Sequence, residues 1–189
     1  MKAKTCKQCK VKFTTLNPLQ QVCGLSCAVT YTLALKEKNN LSQALKSRKE
    51  TKAKLEKLKT RSDYIKQAQI VFNTFIRNRD GNSSCISCGV EFGASVVGGA
   101  FDCGHYLSRG AKPHHRFNEH NAHAQCKKCN RYLSGNVANY RIGIIKKIGL
   151  HAVEKLEEDN EPKHWTIDDL KAIRDKYKKL TKDMQASKI

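Results

Sequence analysis

The chain has 189 residues, room for one domain of ordinary size or two small ones. Hydrophobic residues are 39% and charged residues 28%, which excludes one large core and predicts a small metal-stapled core with long solvated helices. The 36 Lys and Arg against 17 Asp and Glu leave a formal charge of +19, which favours nucleic acid as partner, because each cation near a phosphate releases a condensed counterion.

No apolar run approaches the roughly 18 residues of a membrane span, and residues 1–6 lack the apolar centre of a secretory signal. Membrane is therefore excluded as a partner. Nine cysteines in a chain that reads as cytosolic point to zinc rather than disulfides. Eight of them fall into close pairs; Cys103 is left over and reads as an inert small hydrophobe.

Residues 1–30 carry Cys6, Cys9, Cys23 and Cys27, with Phe13 between the pairs and a helix-like stretch beginning beside Cys27. This spacing predicts a zinc knuckle or treble-clef-like unit, which metal must stabilise because so little apolar surface is available. Orienting the chain and touching DNA are both open to it. Residues 31–61 form a basic helical arm: residues 28–60 read as helix, and residues 36–61 hold ten Lys or Arg against three Glu. Leu33, Leu35, Leu41, Leu45, Leu55 and Leu58 are too irregular for a heptad repeat. A phosphate-tracking arm, a dimer contact and a solvated spacer all fit this composition.

Residues 62–150 begin with Ser62 and Asp63 as the start of a helix over 64–79, whose Ile65, Ala68, Val71, Phe72, Phe75 and Ile76 make one apolar face. Asp80, Gly81 and Asn82 end it in a turn. After a central motif, residues 136–148 predict another amphipathic helix with Tyr140, Ile144, Ile145 and Ile148 on one side. In residues 151–189, Pro162 precedes a last helix opened by Thr166 and Asp169 in a capping-box pattern, with Trp165 as a packing residue just before the cap. A frayed tail is expected beyond Asp183.

The central motif carries the chemistry. It reads Cys85-Ile86-Ser87-Cys88, then Asp102-Cys103-Gly104-His105-Tyr106, then Asn121 through Cys126, Cys129 and Asn130. Cys85, Cys88, Cys126 and Cys129 can close one tetrahedral Zn²⁺ site that clamps the residues between them. Phosphodiester hydrolysis needs an activated water, a cation at the leaving 3′-oxygen and positive charge around the phosphate. His105 suits the base role, since its ordinary pKa lies near working pH. Asn121 can hold the backbone of the His105 loop, Asn130 can turn its oxygen towards a metal, and Asp102 adds a nearby carboxylate.

His105, Asn121 and Asn130 between Cys-x-x-Cys pairs resemble the HNH (ββα-metal) endonucleases. The strings at residues 65–69, 85–89, 104–106, 116–119, 129–130 and 134–136, with residues 165–167 and the N-terminal cysteines, resemble the NinG (Rap) recombination-protein family of lambda-like phages. The resemblance implies a structure-specific DNA endonuclease, cutting Holliday junctions and D-loops in phage recombination with a divalent cation, Mg²⁺ or Mn²⁺. It gives His105 as general base, Asn121 as the residue positioning it, and Asn130 as a ligand of the catalytic ion; Asp102, three residues before His105, is a further candidate ligand that the family pattern does not supply. One departure stands out: many members place an acidic or His ligand directly before the base, where this chain has Gly104. Asp102 and His105 would face opposite sides of a regular strand.

His114, His115, His120 and His123 are nearby rivals. The first two sit in a loop where they can touch phosphate or metal, and His123 shares a strand-like run with Asn121. Arg109, Lys112, Arg116, Lys127, Lys128 and Arg131 are expected to contact DNA phosphates, with a buried structural role also open to Arg116. The expected fold is α+β, mainly helical, with a zinc-stapled ββα-metal finger and a small N-terminal zinc unit. Cofactors are two structural Zn²⁺ and one Mg²⁺ or Mn²⁺; partners are branched DNA and, in the setting the resemblance implies, other phage recombination proteins in the bacterial host cytoplasm. Cutting two strands of a four-way junction makes a homodimer the natural assembly. The alternative is a non-catalytic zinc protein that binds junction DNA or mediates recombination.

Overall fold

A computed structural model of the protein describes residues 2–15, 17–92 and 101–187. Met1, Leu16, residues 93–100 of the 62–150 stretch, and residues 188–189 lie outside the described residues. The architecture is mainly helical with two small antiparallel sheets, an α+β fold. The chain divides into two compact units, Met1–Leu58 and Lys59–Ile189. Among the described residues no helix is long and apolar enough to cross a membrane.

In the first unit, β1 (Lys2–Thr5) pairs with β2 (Lys12–Thr15), Lys4 opposite Phe13. The turn between them is a tight knuckle. The Cys6 N–H donates to the Val11 carbonyl at 2.9 Å and the Lys10 N–H returns to the Cys6 carbonyl at 3.0 Å, with Lys10 at φ 63°. α1 (Leu25–Lys57) begins and ends earlier than the expected 28–60. Its end is set by Thr60, whose extended backbone breaks the helix and caps the next one. No residue of α1 is fully buried, only Cys27, Ala28 and Tyr31 near its start are partly so, and Leu33, Leu41, Leu45 and Leu55 are exposed, so packing adds little to its intrinsic helical preference.

In the second unit, α2 (Arg61–Arg79) opens on a capping box at Thr60, not at Ser62: Thr60 Oγ1 accepts from the Asp63 N–H, and Asp63 accepts from the Thr60 N–H at 2.9 Å. The box requires the carboxylate three residues after the cap, which selects Thr60. Phe72, Phe75 and Ile76 of α2 bury against Leu170 and Tyr177 of α5 (Ile167–Ala186). α5 opens on the expected Thr166–Asp169 box and stays helical past Asp183, where fraying was expected. Trp165 packs edge-on to Phe117 with ring centroids 5.2 Å apart, and its indole N–H donates to the Pro113 carbonyl.

Between these layers β3 (Phe101–His105) pairs with β4 (Ala122–Cys126), His105 opposite Ala122 and Gly104 opposite His123. One face of the pair joins the α2 cluster through Cys103 and Ala122. Towards the other, Tyr140 of α3 (Val137–Ile148) donates its hydroxyl to the Gly104 carbonyl at 3.1 Å. α4 (Leu150–Glu158) is an element the sequence reading did not separate out; it has no side-chain cap and follows Gly149 directly. It adds Val153 and Leu156 to a second cluster with Tyr106, Tyr140 and Ile144. Asp80 is 3% exposed and accepts from Arg79, from Lys147 Nζ at 3.1 Å and from the Ala124 N–H at 3.0 Å. It thereby ties α2 to β4 and α3. Burial pushes its carboxyl up, but Arg79 and these donors hold it at about 2.

Candidate functional site

The second unit repeats the knuckle of the first. The Cys85 N–H donates to the Val90 carbonyl at 2.9 Å and the Gly89 N–H to the Cys85 carbonyl at 2.8 Å, with Gly89 at φ 71° in the place of Lys10. The sulfurs of Cys85, Cys88, Cys126 and Cys129 lie within 4.8 Å of one another, as do those of Cys6, Cys9, Cys23 and Cys27. Individual separations are 3.8 Å for Cys88–Cys126 and 3.6 Å for Cys9–Cys23 and Cys23–Cys27. A tetrahedral Zn²⁺ with Zn–S bonds of about 2.3 Å has sulfur–sulfur edges of about 3.8 Å. Both clusters could therefore hold zinc with little rearrangement.

Donors already point at the sulfurs. The Cys126 N–H lies 3.3 Å from Cys85 Sγ, Asn136 Nδ2 3.3 Å from Cys129 Sγ, and the Cys23 N–H 3.4 Å from Cys6 Sγ. Burial pushes the Cys85 thiol up, but the N–H groups of Cys126, Cys88 and Ser87 outweigh it and bring it down to about 7. Among the described residues Cys103 has no such donors, and burial pushes its thiol up to about 12, in keeping with an inert hydrophobe.

A cleft of about 570 Å³ opens beside the second cluster, lined by His105, Asn130, Ser108, Arg109, Arg116 and Ser134 among others. His105 ends β3, its ring 6.2 Å from that of Phe72 and its Nε2 3.1 Å from the Arg116 carbonyl. Burial holds the imidazole down to about 4, with the charges of Arg109 and Arg116 acting in the same direction against the carbonyl contact. The ring is thus neutral at neutral pH, the form in which it can accept a proton. Asn130 stands on a π-type turn (Lys128–Tyr132) directly after Cys129, so the cysteine cluster places it at the cleft.

Asn121 does not line the cleft; it is wholly buried behind it. Its Oδ1 accepts from the Leu107 N–H at 2.8 Å, and its Nδ2 donates to the carbonyls of Leu107 at 3.0 Å and His115 at 3.1 Å. It fixes the chain leaving His105 and the loop that carries the Arg116 carbonyl. Asp102 also lies outside the cleft lining: one oxygen accepts from Asn130 Nδ2 at 3.0 Å, and both accept from Arg131 at 2.6 and 2.8 Å. That arrangement turns Asn130 Oδ1 away from Asp102, without a partner among the described residues. Gly104 contributes no ligand and leaves no room for a side chain unless Gln125 shifts, since a Cβ there would stand 2.3 Å from Gln125 Oε1 and 2.9 Å from Gln125 Cβ. Gln125 Oε1 is itself buried without a hydrogen-bond partner among the described residues.

The remaining residues separate by role. Arg109 and Arg116 rim the cleft, and Arg116 also reaches Gln69 Oε1 at 3.3 Å. Lys127 is half-buried, Lys128 is exposed, and Arg131 is engaged by Asp102. Lys112 turns its ammonium to the carbonyls of Glu157 and Asp159 and the side chain of Asn160, at the end of α4. His123 is buried against Tyr140, its Nδ1 3.4 Å from the hydroxyl, and burial brings its pKa down to about 3. His120 is exposed, whereas His114 and His115 pack against the end of α4. Sequence reasoning missed Gln125 and Asp80; the first lay unremarked inside the motif, and the turn pattern Asp80-Gly81 masked the burial of the second.

Compared with known proteins, residues 1–187 match the family model described as NinG, Bacteriophage Lambda NinG protein. The protein ninG of Escherichia phage lambda is 44% identical over 131 residues, covering 69% of this chain and 62% of that protein. Those of Salmonella phage P22 and Escherichia phage 933W are 43% and 42% identical over the same length. The chain thus spans less than two thirds of the length of these relatives. No solved structure matches.

Proposed function

We propose that this chain, which belongs to the NinG family of lambda-like phage proteins, is a metal-dependent DNA endonuclease of the HNH type acting on Holliday junctions and D-loops. The observation that carries the reading is the cleft itself: a neutral imidazole and an unengaged carboxamide oxygen in one arginine-rimmed pocket beside a tetra-cysteine clamp. The order β3, β4, helical turn, with His105 on the first strand and Asn130 on the turn, supports a ββα-metal finger.

In this reading His105 takes the proton from the attacking water, Asn121 keeps its loop in place, and Arg109 and Arg116 hold the phosphate oxygens. Asn130 Oδ1 and the Asp102 carboxylate are hard oxygen donors of the kind that suit Mg²⁺ or Mn²⁺; both would hold one ion only with the Asn130 amide turned over and Arg131 sharing Asp102. Such an ion would supply positive charge at the departing 3′-oxygen. The cationic α1 tracks phosphates outside the cleft, and two copies supply two cuts at a four-way junction. The work belongs in the host cytoplasm, beside other phage recombination proteins.

A second reading, a non-catalytic junction binder, draws on Gly104 offering no ligand and on Arg131 engaging both Asp102 oxygens. Incubating the purified protein and His105→Ala with linear, D-loop and four-way DNA, with and without Mg²⁺ or Mn²⁺, separates the two. The nuclease predicts metal-dependent cleavage of branched DNA that falls by about a hundredfold or more in His105→Ala while binding persists. Cleavage unchanged in the variant removes His105 as base; junction binding with no cleavage in either metal favours the second reading.

A further inference from the structure

The 3₁₀ turn Pro113–Phe117 sets His114 and His115 side by side, ring centroids 4.2 Å apart, facing the end of α4. Their Nε2 atoms converge on one residue. His114 Nε2 is 4.0 Å from Asp159 Oδ1, and His115 Nε2 is 3.6 Å from Asp159 Oδ2. One ligand atom from each of the three lies within 4.8 Å of the others. The imidazole side chains are 9% and 4% exposed, so packing holds both rings in place, while Asp159 is 41% exposed. His115 and Asp159 line an open cleft of about 750 Å³, which leaves room for a hydrated ion to enter.

Ligand chemistry decides which ion. Residues 154–161 hold five of the 17 acidic residues, Glu154, Glu157, Glu158, Asp159 and Glu161. Arg141 pairs with Glu157 and the Lys112 ammonium sits on the Glu157 and Asp159 carbonyls, which leaves the Asp159 carboxylate to face the two rings. Two imidazoles with one carboxylate suit a first-row divalent ion of the zinc type better than Mg²⁺. We infer that His114, His115 and Asp159 form a third metal site, taking Zn²⁺ or a similar first-row cation.

The competing account makes both rings cap donors, since His114 Nε2 lies 3.0 Å from the Asp159 carbonyl and His115 Nε2 3.0 Å from that of Leu156. Capping explains one carbonyl per ring, and the Glu161 N–H at 3.1 Å holds Asp159 Oδ1; neither contact accounts for Oδ2 turning to within 3.6 Å of His115 Nε2. On metal binding each neutral ring keeps its proton on Nδ1, so the 3.4 Å contact from Asn118 Nδ2 to His115 Nδ1 must turn aside. The same turn carries the His115 carbonyl held by Asn121 and the Arg116 carbonyl beside His105, so an ion here would stiffen the wall of the cleft.

Titrating the zinc-loaded full chain with Co²⁺, with bound metal counted by elemental analysis, tests the site. The expected result is one further equivalent with weak visible bands and no thiolate-to-cobalt charge transfer, bound at least about tenfold more weakly in Asp159→Asn and His114→Gln. No further equivalent, charge-transfer absorption from it, or equal binding by both variants would overturn the assignment. Should a variant fail to fold, the unaltered protein still decides: Zn²⁺ must shift the ring ¹⁵N resonances of His114 and His115, and unchanged resonances sink the site.

Discussion

Replacing Asn121 by Ala removes three hydrogen bonds at once and strands the backbone polar groups of Leu107. The side chain is wholly buried, and the Leu107 N–H and carbonyl both use it, while the His115 carbonyl keeps a second donor in the Asn118 N–H at 3.1 Å. A net hydrogen bond contributes about 1 kcal/mol, and a buried group left unpaired costs about 1–3 kcal/mol. Allowing for water in the vacated space, the expected loss is roughly 3–5 kcal/mol, a large part of the 5–15 kcal/mol typical of a domain. Urea unfolding followed through Trp165 reads the right unit, because this single Trp donates to the Pro113 carbonyl in the same loop. Asn121→Asp sharpens the test. It keeps the acceptor for Leu107 but sets a carboxylate against two carbonyls, so it should be at least as damaging near neutral pH. Its carboxyl pKa is then raised in the fold, and stability should recover as pH falls and the group gains a proton. A loss below about 1 kcal/mol in Asn121→Ala would refute the reasoning.

Burial, helped by Arg109 and Arg116, holds His105 to about 4, against about 6.5 in an unfolded chain. The unfolded chain therefore takes its proton first as pH drops, and stability present above pH of about 6.5 is lost as pH falls towards the folded value. Ring nitrogen shifts should show His105 neutral at pH of about 6, and a midpoint near the ordinary value would contradict the burial argument. Gly104→Ala should lower the melting temperature through a loss of about 1–3 kcal/mol, because the new Cβ meets Gln125, which is pinned to Ser87 Oγ and the Gly135 carbonyl. Melting unchanged by the substitution would mean that Gln125 moves freely.

Much of this protein is written in local spacing. Cys6 with Cys9 and Cys85 with Cys88 wrap a knuckle whose hydrogen bonds span five residues, and Thr166 with Asp169 closes a cap across three. Such contacts need no distant partner, so the residue types alone determine them. The apolar face of α2 follows from helical periodicity in the same way. The cap of the preceding turn shows the limit, since Ser62 and Thr60 are both good caps and only the position of Asp63 chooses between them.

Tertiary structure decided the rest. Asp102 faces Arg131 rather than the cleft, Asn121 lies behind His105 rather than beside it, and Gln125 fills the space over Gly104. The meeting of His114 and His115 with Asp159 depends on α4, a short uncapped helix formed where Val153 and Leu156 can bury against Tyr106 and Tyr140. Each of these outcomes joins residues far apart along the chain. Their physical cause is burial, which ranks competing partners by the cost of leaving a polar group unpaired and by the space left after packing. Neither quantity exists until the layers have come together.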